Sequence, residues 1–408
     1  MFLKILFSPF LKICYRLLLS LVIVSVYSYQ HAMTQSSPLE MGYFQKGICY
    51  ATWEKNKFAT PYSDQALEML KKMGVEYVQI NVTQYVENYN STKISPTECT
   101  ATDASVKHAI QTAHTLGLKV MLKPHIDIIN NDGGNYSRGD IGCASDAEWD
   151  KWFKEYNRFI THYAGIAETN KVEVFCVGTE LTYAGQQTEK WLDLILSVKD
   201  TYKGKLIYAA NWDDYKTVKF WEQLDYMGID AYFPLTTKKN PAIADIKKGW
   251  DKWISEIEEW LPRINRPVVF TEIGYPSTPN ANYEPWKCAN AGNAAPEIQT
   301  KCYIAFFEKV WRCKWLGGVY WWKFNPTIYG GGENNRDYTP LNKPASVIMS
   351  EYYRYSRLAD DKEASKQLIL ESSQKIDMLQ NKTERIIEGS FPILHQKIYG
   401  TAQEERKK

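Results

Sequence analysis

The sequence has almost no net charge, no apolar run long enough to span a membrane and no metal-ligand spacing, and each absence narrows what it can do. Lysine and arginine exceed aspartate and glutamate by only two over 408 residues, so no nucleic-acid partner is expected. No Cys/His spacing resembles a zinc site. His125 and Asp127 lie two apart, but no third ligand is near them in the sequence, so neither a metal nor another cofactor is expected. The apolar stretch from Leu17 to Val26 is shorter than the roughly 20 residues of a spanning helix. What is plentiful is aromatic: Trp, Tyr and Phe make up 14% of the chain, with 14 Trp and 28 Tyr. Most of these are core or surface filler, and those at predicted strand ends offer flat faces on which sugar rings stack.

The N-terminal stretch has the order of an export signal, because Lys4, Lys12 and Arg16 precede the apolar run and small residues around Val26 and Ser28 follow it. Residues 1–28 are therefore read as a signal peptide, or as an anchor if uncut, with 29–44 as a linker. The protein is expected to be secreted or extracellular, and membrane-anchored if the segment stays. Export permits disulfides. Cys14 leaves with the signal, Cys49 and Cys176 fall in strands, and Cys99, Cys143, Cys288 and Cys302 fall in or beside predicted loops, where pairing cannot be assigned. After Tyr355 the tryptophans disappear and Lys, Glu, Gln and Asp dominate, so 356–408 reads as a charged, partly helical tail.

Between these ends, apolar runs alternate with helix-period segments. Eight runs read as strands: Gly47–Thr52, Tyr77–Val82, Lys119–Pro124, Val172–Gly178, Leu206–Asn211, Tyr226–Tyr232, Val268–Glu272 and Gly318–Trp322. Ser63–Met73, with Ser63 as N-cap and Gly74 as stop, and Asp103–Leu116 before Gly117, read as helices. Strands apolar on both faces suit a parallel sheet wrapped in helices, so 45–355 is expected to be a single (β/α)8 TIM barrel of the α/β class, acting as a monomer.

Two glutamates close such runs: Glu180 in Val-Gly-Thr-Glu-Leu and Glu272 in Phe-Thr-Glu-Ile-Gly-Tyr. A carboxylate ending a buried strand is costly unless it is hydrogen-bonded or has chemistry to do. The pair lies three βα units apart, on the fourth and seventh strands.

Together with Leu-Lys-Pro-His at strand three, Gly47-Ile-Cys-Tyr at strand one, Asp230-Ala-Tyr-Phe-Pro at strand six and Val319-Tyr-Trp-Trp at strand eight, these motifs resemble glycoside hydrolase family 113, the endo-β-1,4-mannanases of a large retaining-glycosidase clan. The resemblance implies a hydrolase acting on internal β-1,4 linkages of a polysaccharide, mannan or glucomannan foremost. It implies Glu180 as acid/base, Glu272 as nucleophile, Tyr232 as support for the nucleophile, and Trp321 or Trp322 at the sugar. Other strand-end residues are ranked as sugar contacts: Lys123 and His125 at strand three, Trp53 at strand one, Asn81 at strand two, and Asn211 and Trp212 at strand five. Tyr275, three residues past Glu272, joins them. Much of the clan has Asn just before the acid/base, where this chain has Thr179. The loops 130–136 and 329–338, rich in Gly, Asn and Asp, would wall an open groove. Two alternatives stand beside this reading: the same mechanism on another β-glycan, and a secreted carbohydrate-binding barrel without hydrolytic activity, against which the intact glutamate pair argues.

Overall fold

A computed structural model describes residues 44–287 and 292–354. The signal or anchor, nearly all of the linker, Cys288 and the charged tail lie outside the described residues. Eight parallel strands close in sequence order: β1 (Gln45–Ala51), β2 (Tyr77–Val86), β3 (Lys119–Ile128), β4 (Val174–Thr179), β5 (Lys205–Asn211), β6 (Tyr226–Asp230), β7 (Val268–Ile273) and β8 (Leu316–Phe324). Helices α1 (Pro61–Lys72), α2 (Asp103–Thr115), α3 (Asp146–Thr169), α4 (Thr188–Thr201), α5 (Ile243–Trp260) and α6 (Pro296–Lys309) return the chain between strands, and α7 (Pro344–Arg354) follows β8. This is a (β/α)8 barrel. Between β5 and β6 the short connection makes only a 3-10 turn at Trp221–Gln223, so seven α-helices surround the barrel among the described residues.

Every strand is apolar on both faces because each face meets a different core. Inside the barrel, Cys49, Met121, Cys176, Ile207, Val269 and Tyr320 pack together. Outside it, Ile48, Val78, Leu122, Phe175, Phe270 and Trp321 face the helices. Tyr320 fills the interior beside β1, where a Cβ on Gly47 would lie 2.3 Å from its ring, so only glycine allows that approach. Its hydroxyl donates to Gln45 Oε1 at 2.6 Å.

One expected cap is corrected. Helix α1 starts after Thr60, whose Oγ1 accepts from the Ser63 amide at 3.3 Å. Ser63 is buried in the first turn, where its hydroxyl bonds Tyr50 at 2.7 Å, and Pro61 fits the first helical position because no N–H is needed there. Cys302 likewise lies buried within α6 rather than in or beside a loop.

Candidate active site

Glu180 is the first residue beyond β4, and its backbone is left-handed, with φ 51°. That conformation is strained for a residue with a Cβ and is held by neighbours: the Glu180 amide donates to Ala209 O at 2.8 Å and the Thr182 amide to Glu180 O at 3.1 Å. The turn aims the side chain across the barrel mouth. Burial pushes the Glu180 carboxyl up to about 7; Arg138 opposes that rise and the charge of Glu272 adds to it.

Glu272 lies in β7 opposite Asp230 of β6. Lys123 of β3 donates to Glu272 Oε1 at 2.6 Å and to both oxygens of Asp230 at 3.0 Å each. Tyr232 donates to Glu272 Oε2 at 2.6 Å. Asp230 also accepts from Thr271 Oγ1 at 2.8 Å. Burial and the adjacent Glu272 push the Asp230 carboxyl up against the pull of Lys123, while the two carboxylates together hold the buried lysine charged and above its ordinary range.

A second cation joins this cluster to Glu180. Arg138 follows β3 in a short turn, where Ser137 N and Oγ donate to Asp140 at 2.8 and 3.0 Å. Its Nε and Nη2 donate to Asp127 Oδ1 at 3.0 and 2.7 Å, and Nη1 reaches His125 Nδ1 at 3.0 Å and Glu180 Oε2 at 3.5 Å. A guanidinium offers only hydrogens, so His125 Nδ1 accepts and Nε2 carries the ring proton. The Asn81 side-chain nitrogen stands 2.8 Å from Nε2, where two N–H groups would face each other, so we assign this amide the rotated orientation in which its oxygen, otherwise without a partner, accepts from Nε2. Burial, Arg138 and Lys123 hold the imidazole well below its usual range, and hence neutral. His125 and Asp127, two apart in sequence, thus serve an arginine. Among the described residues no three metal-ligating side chains converge.

The structure separates the expected sugar contacts. Glu180, Glu272, Tyr232, His125, Asn81 and Trp322 come together at the barrel mouth; Trp322 lies parallel to His125, ring centres 6.3 Å apart, and edge-on to Trp53 at 6.3 Å. Lys323 covers the Trp53 ring at 4.9 Å. Asn211 borders the Glu180 turn, 3.5 Å from Thr182 Oγ1, and Trp212 stacks on Trp286 at 5.6 Å.

Three expectations are corrected. Trp321 is fully buried and stacked on Tyr303 at 3.7 Å, because alternate residues of β8 face the helix layer. Tyr275 is fully buried in that same layer beside Cys302 and Tyr303. Lys123 is also fully buried, and its ammonium group is taken up by Asp230 and Glu272 instead of facing the open mouth. Thr179 points inward, its hydroxyl 3.8 Å from Cys176 Sγ. Arg138, Asp127, Asp230 and Trp286 were not singled out by sequence as site residues, although Arg138 stands two residues past a loop expected to wall the groove.

A parallel barrel with two carboxyl groups at the ends of its fourth and seventh strands is an arrangement in which glycosidic bonds can be hydrolysed, and the family match makes this chain a glycoside hydrolase. The model of Glycoside Hydrolase Family 113 matches residues 49–343, and the chain belongs to that family. Two structures of a GH113 β-1,4-mannanase, one of them a complex, are similar at 29% and 28% identity, each with TM-score 0.70 and covering 77% of this chain and 99% of theirs. The GH113 β-mannanase of Alicyclobacillus acidocaldarius shares the fold, with 24% identity, TM-score 0.69 and coverage of 76% and 97%. No curated protein matches the chain.

Proposed function

We propose that this protein is a retaining endo-β-1,4-mannanase, with Glu272 as nucleophile and Glu180 as acid/base. One observation carries the mechanism: a carboxyl that keeps its proton up to about 7 shares the barrel mouth with a second whose oxygens are held by a lysine and a phenol. In the first step Glu272 forms a bond to the anomeric carbon. The glycosidic bond breaks toward the leaving oxygen, which takes the proton of Glu180. In the second, a water oxygen bonds that carbon, its proton passes to Glu180, and the Glu272 carboxylate leaves. Tyr232 fixes one oxygen of the nucleophile, and Lys123 balances its charge.

A polymeric substrate is supported by where the aromatic surface lies. Of the large apolar side chains exposed among the described residues, all but Leu196 sit on loops after strands or in the first turn of the helix that follows, among them Tyr62, Tyr89, Tyr136, Trp286 and Tyr329. Soluble proteins seldom gather such side chains on one face without a ligand for it. Mannan or glucomannan is favoured because the similar solved structures are named as β-1,4-mannanases. The N-terminal segment adds export to the proposal; protein recovered from the medium should begin near residue 29.

The test is reducing-sugar release by the full chain on linear mannan, glucomannan, cellulose and xylan, with NMR of the first-formed anomer and with Glu180→Gln and Glu272→Gln alongside. Release from mannans as the β-anomer, reduced at least about a hundredfold by either substitution, is expected. An α-anomer overturns retention, release from xylan or cellulose alone overturns the substrate, and binding without release leaves a carbohydrate-binding barrel.

A further inference from the structure

Arg138 is held with more precision than a surface ion pair requires. Three of its N–H groups are committed, two to a single oxygen of Asp127 and one to His125, and this fixes the guanidinium plane beside Glu180. The turn that carries it is seated on the Glu180 turn itself. The Tyr183 amide donates to Gly139 O at 3.1 Å, and a Cβ on Gly139 would lie 3.1 Å from Thr182 Oγ1 and 3.3 Å from Glu180 O. Glycine lets the two turns touch.

The charges facing Glu180 are Arg138 from this turn, Glu272 from β7, Lys123 and Asp127 from β3, and Asp230 from β6, whose charge Lys123 offsets. In the first step the negative Glu272 helps Glu180 keep the proton it must donate. Once Glu272 becomes a glycosyl ester its charge is gone, and Glu180 must now be ionised to take a proton from water. We propose that Arg138 is a positioning residue for this second step, holding the Glu180 carboxylate oriented and ionised toward the attacking water while Glu272 is esterified. The inference rests on the two-glutamate reading above and adds a division of labour between the two cations: Lys123 serves the nucleophile and Arg138 serves the base.

A substrate whose leaving group needs no proton separates the steps. With dinitrophenyl β-mannobioside, kcat/KM reports formation of the glycosyl-enzyme and kcat reports its hydrolysis when that is slower. Arg138→Met should leave kcat/KM within about threefold at a pH between about 5 and 6, lower kcat by roughly tenfold or more as the carboxylate fraction falls, lower KM with it, and give a burst of dinitrophenolate. Arg138→Lys, which keeps the charge, should recover part of kcat and reduce the burst. Loss of kcat and kcat/KM together in both variants, without a burst and with unchanged melting, overturns the proposal in favour of a general structural role. Unchanged kinetics in Arg138→Met also overturns it. If wild-type protein releases neither dinitrophenolate nor sugar from mannan, the failure lies in the functional reading and not in the role of Arg138.

Discussion

Lys123 and Glu272 meet at 2.6 Å inside the barrel mouth, and the same ammonium group holds Asp230 by both oxygens. One buried cation therefore serves two carboxylates. Removing one partner of a buried pair leaves uncompensated charge, which is far more costly than the pair is stabilising.

Lys123→Met should destabilise the fold by about 3–5 kcal/mol at neutral pH. Because the stranded carboxylates can take up protons, the loss should shrink as pH falls toward about 5. Calorimetric melting across pH checks this. A shift in melting temperature that is constant with pH would refute the charge argument.

Tyr232→Phe removes the phenol donor to Glu272 Oε2 at 2.6 Å and almost nothing else. A hydrogen bond to a charged group contributes about 1.5–3 kcal/mol, so kcat on mannan should fall roughly ten- to a hundredfold with little change in melting temperature. A kcat within a factor of two of wild type would show that Lys123 alone suffices to hold the nucleophile.

Glu180 is pushed up to about 7, and it must carry a proton to protonate the leaving group. Activity on mannan should therefore decline as pH rises through about 7. The stability sign follows: a carboxyl raised in the folded state contributes stability that is fully present below the ordinary carboxylate range and lost as pH rises through about 7. Glu180→Gln should be more stable than wild type above that pH, with the difference vanishing near about pH 4. Melting curves at both extremes decide it. Arg138→Met should move the alkaline limb of activity upward, since losing a nearby positive charge lets the carboxyl hold its proton longer.

Trp286 is 43% exposed, and its inner face rests on Trp212, which Trp253 buttresses at 5.6 Å. Trp286→Ala should raise KM for long mannan chains several-fold, in line with the roughly 0.5–1.5 kcal/mol of an aromatic stack. It should leave short mannooligosaccharides unaffected. An equal effect on short and long substrates would place Trp286 outside the polymer groove.

Much of this site is legible in the chain. Each of the eight strands lies within a few residues of its apolar run, and Glu180 and Glu272 sit at the ends expected of them, because strand period and a polar residue closing an apolar run are local signals. Tyr232 is found against Glu272 as the family resemblance implies, and no local signal in the chain marks it. The error at Trp321 has a plain cause. Strands of a parallel barrel are apolar on both faces, so the pattern does not reveal which face a residue takes. Trp321 and Trp322 are equivalent as letters, yet one packs on Tyr303 and the other lines the mouth beside His125.

The sequence by itself determined the barrel, the order of its strands and the two acids that end the fourth and seventh, since all three rest on periodicity and spacing along the chain. Tertiary structure alone decided that Lys123 turns inward to Asp230 and Glu272, that Trp321 and Tyr275 belong to the helix layer, and that Arg138 reaches Glu180 from the loop after β3. These depend on closure of the sheet and the seating of one turn on another, which bring together groups that no spacing in the sequence relates, in a medium where burial and the nearest charge set each proton's place.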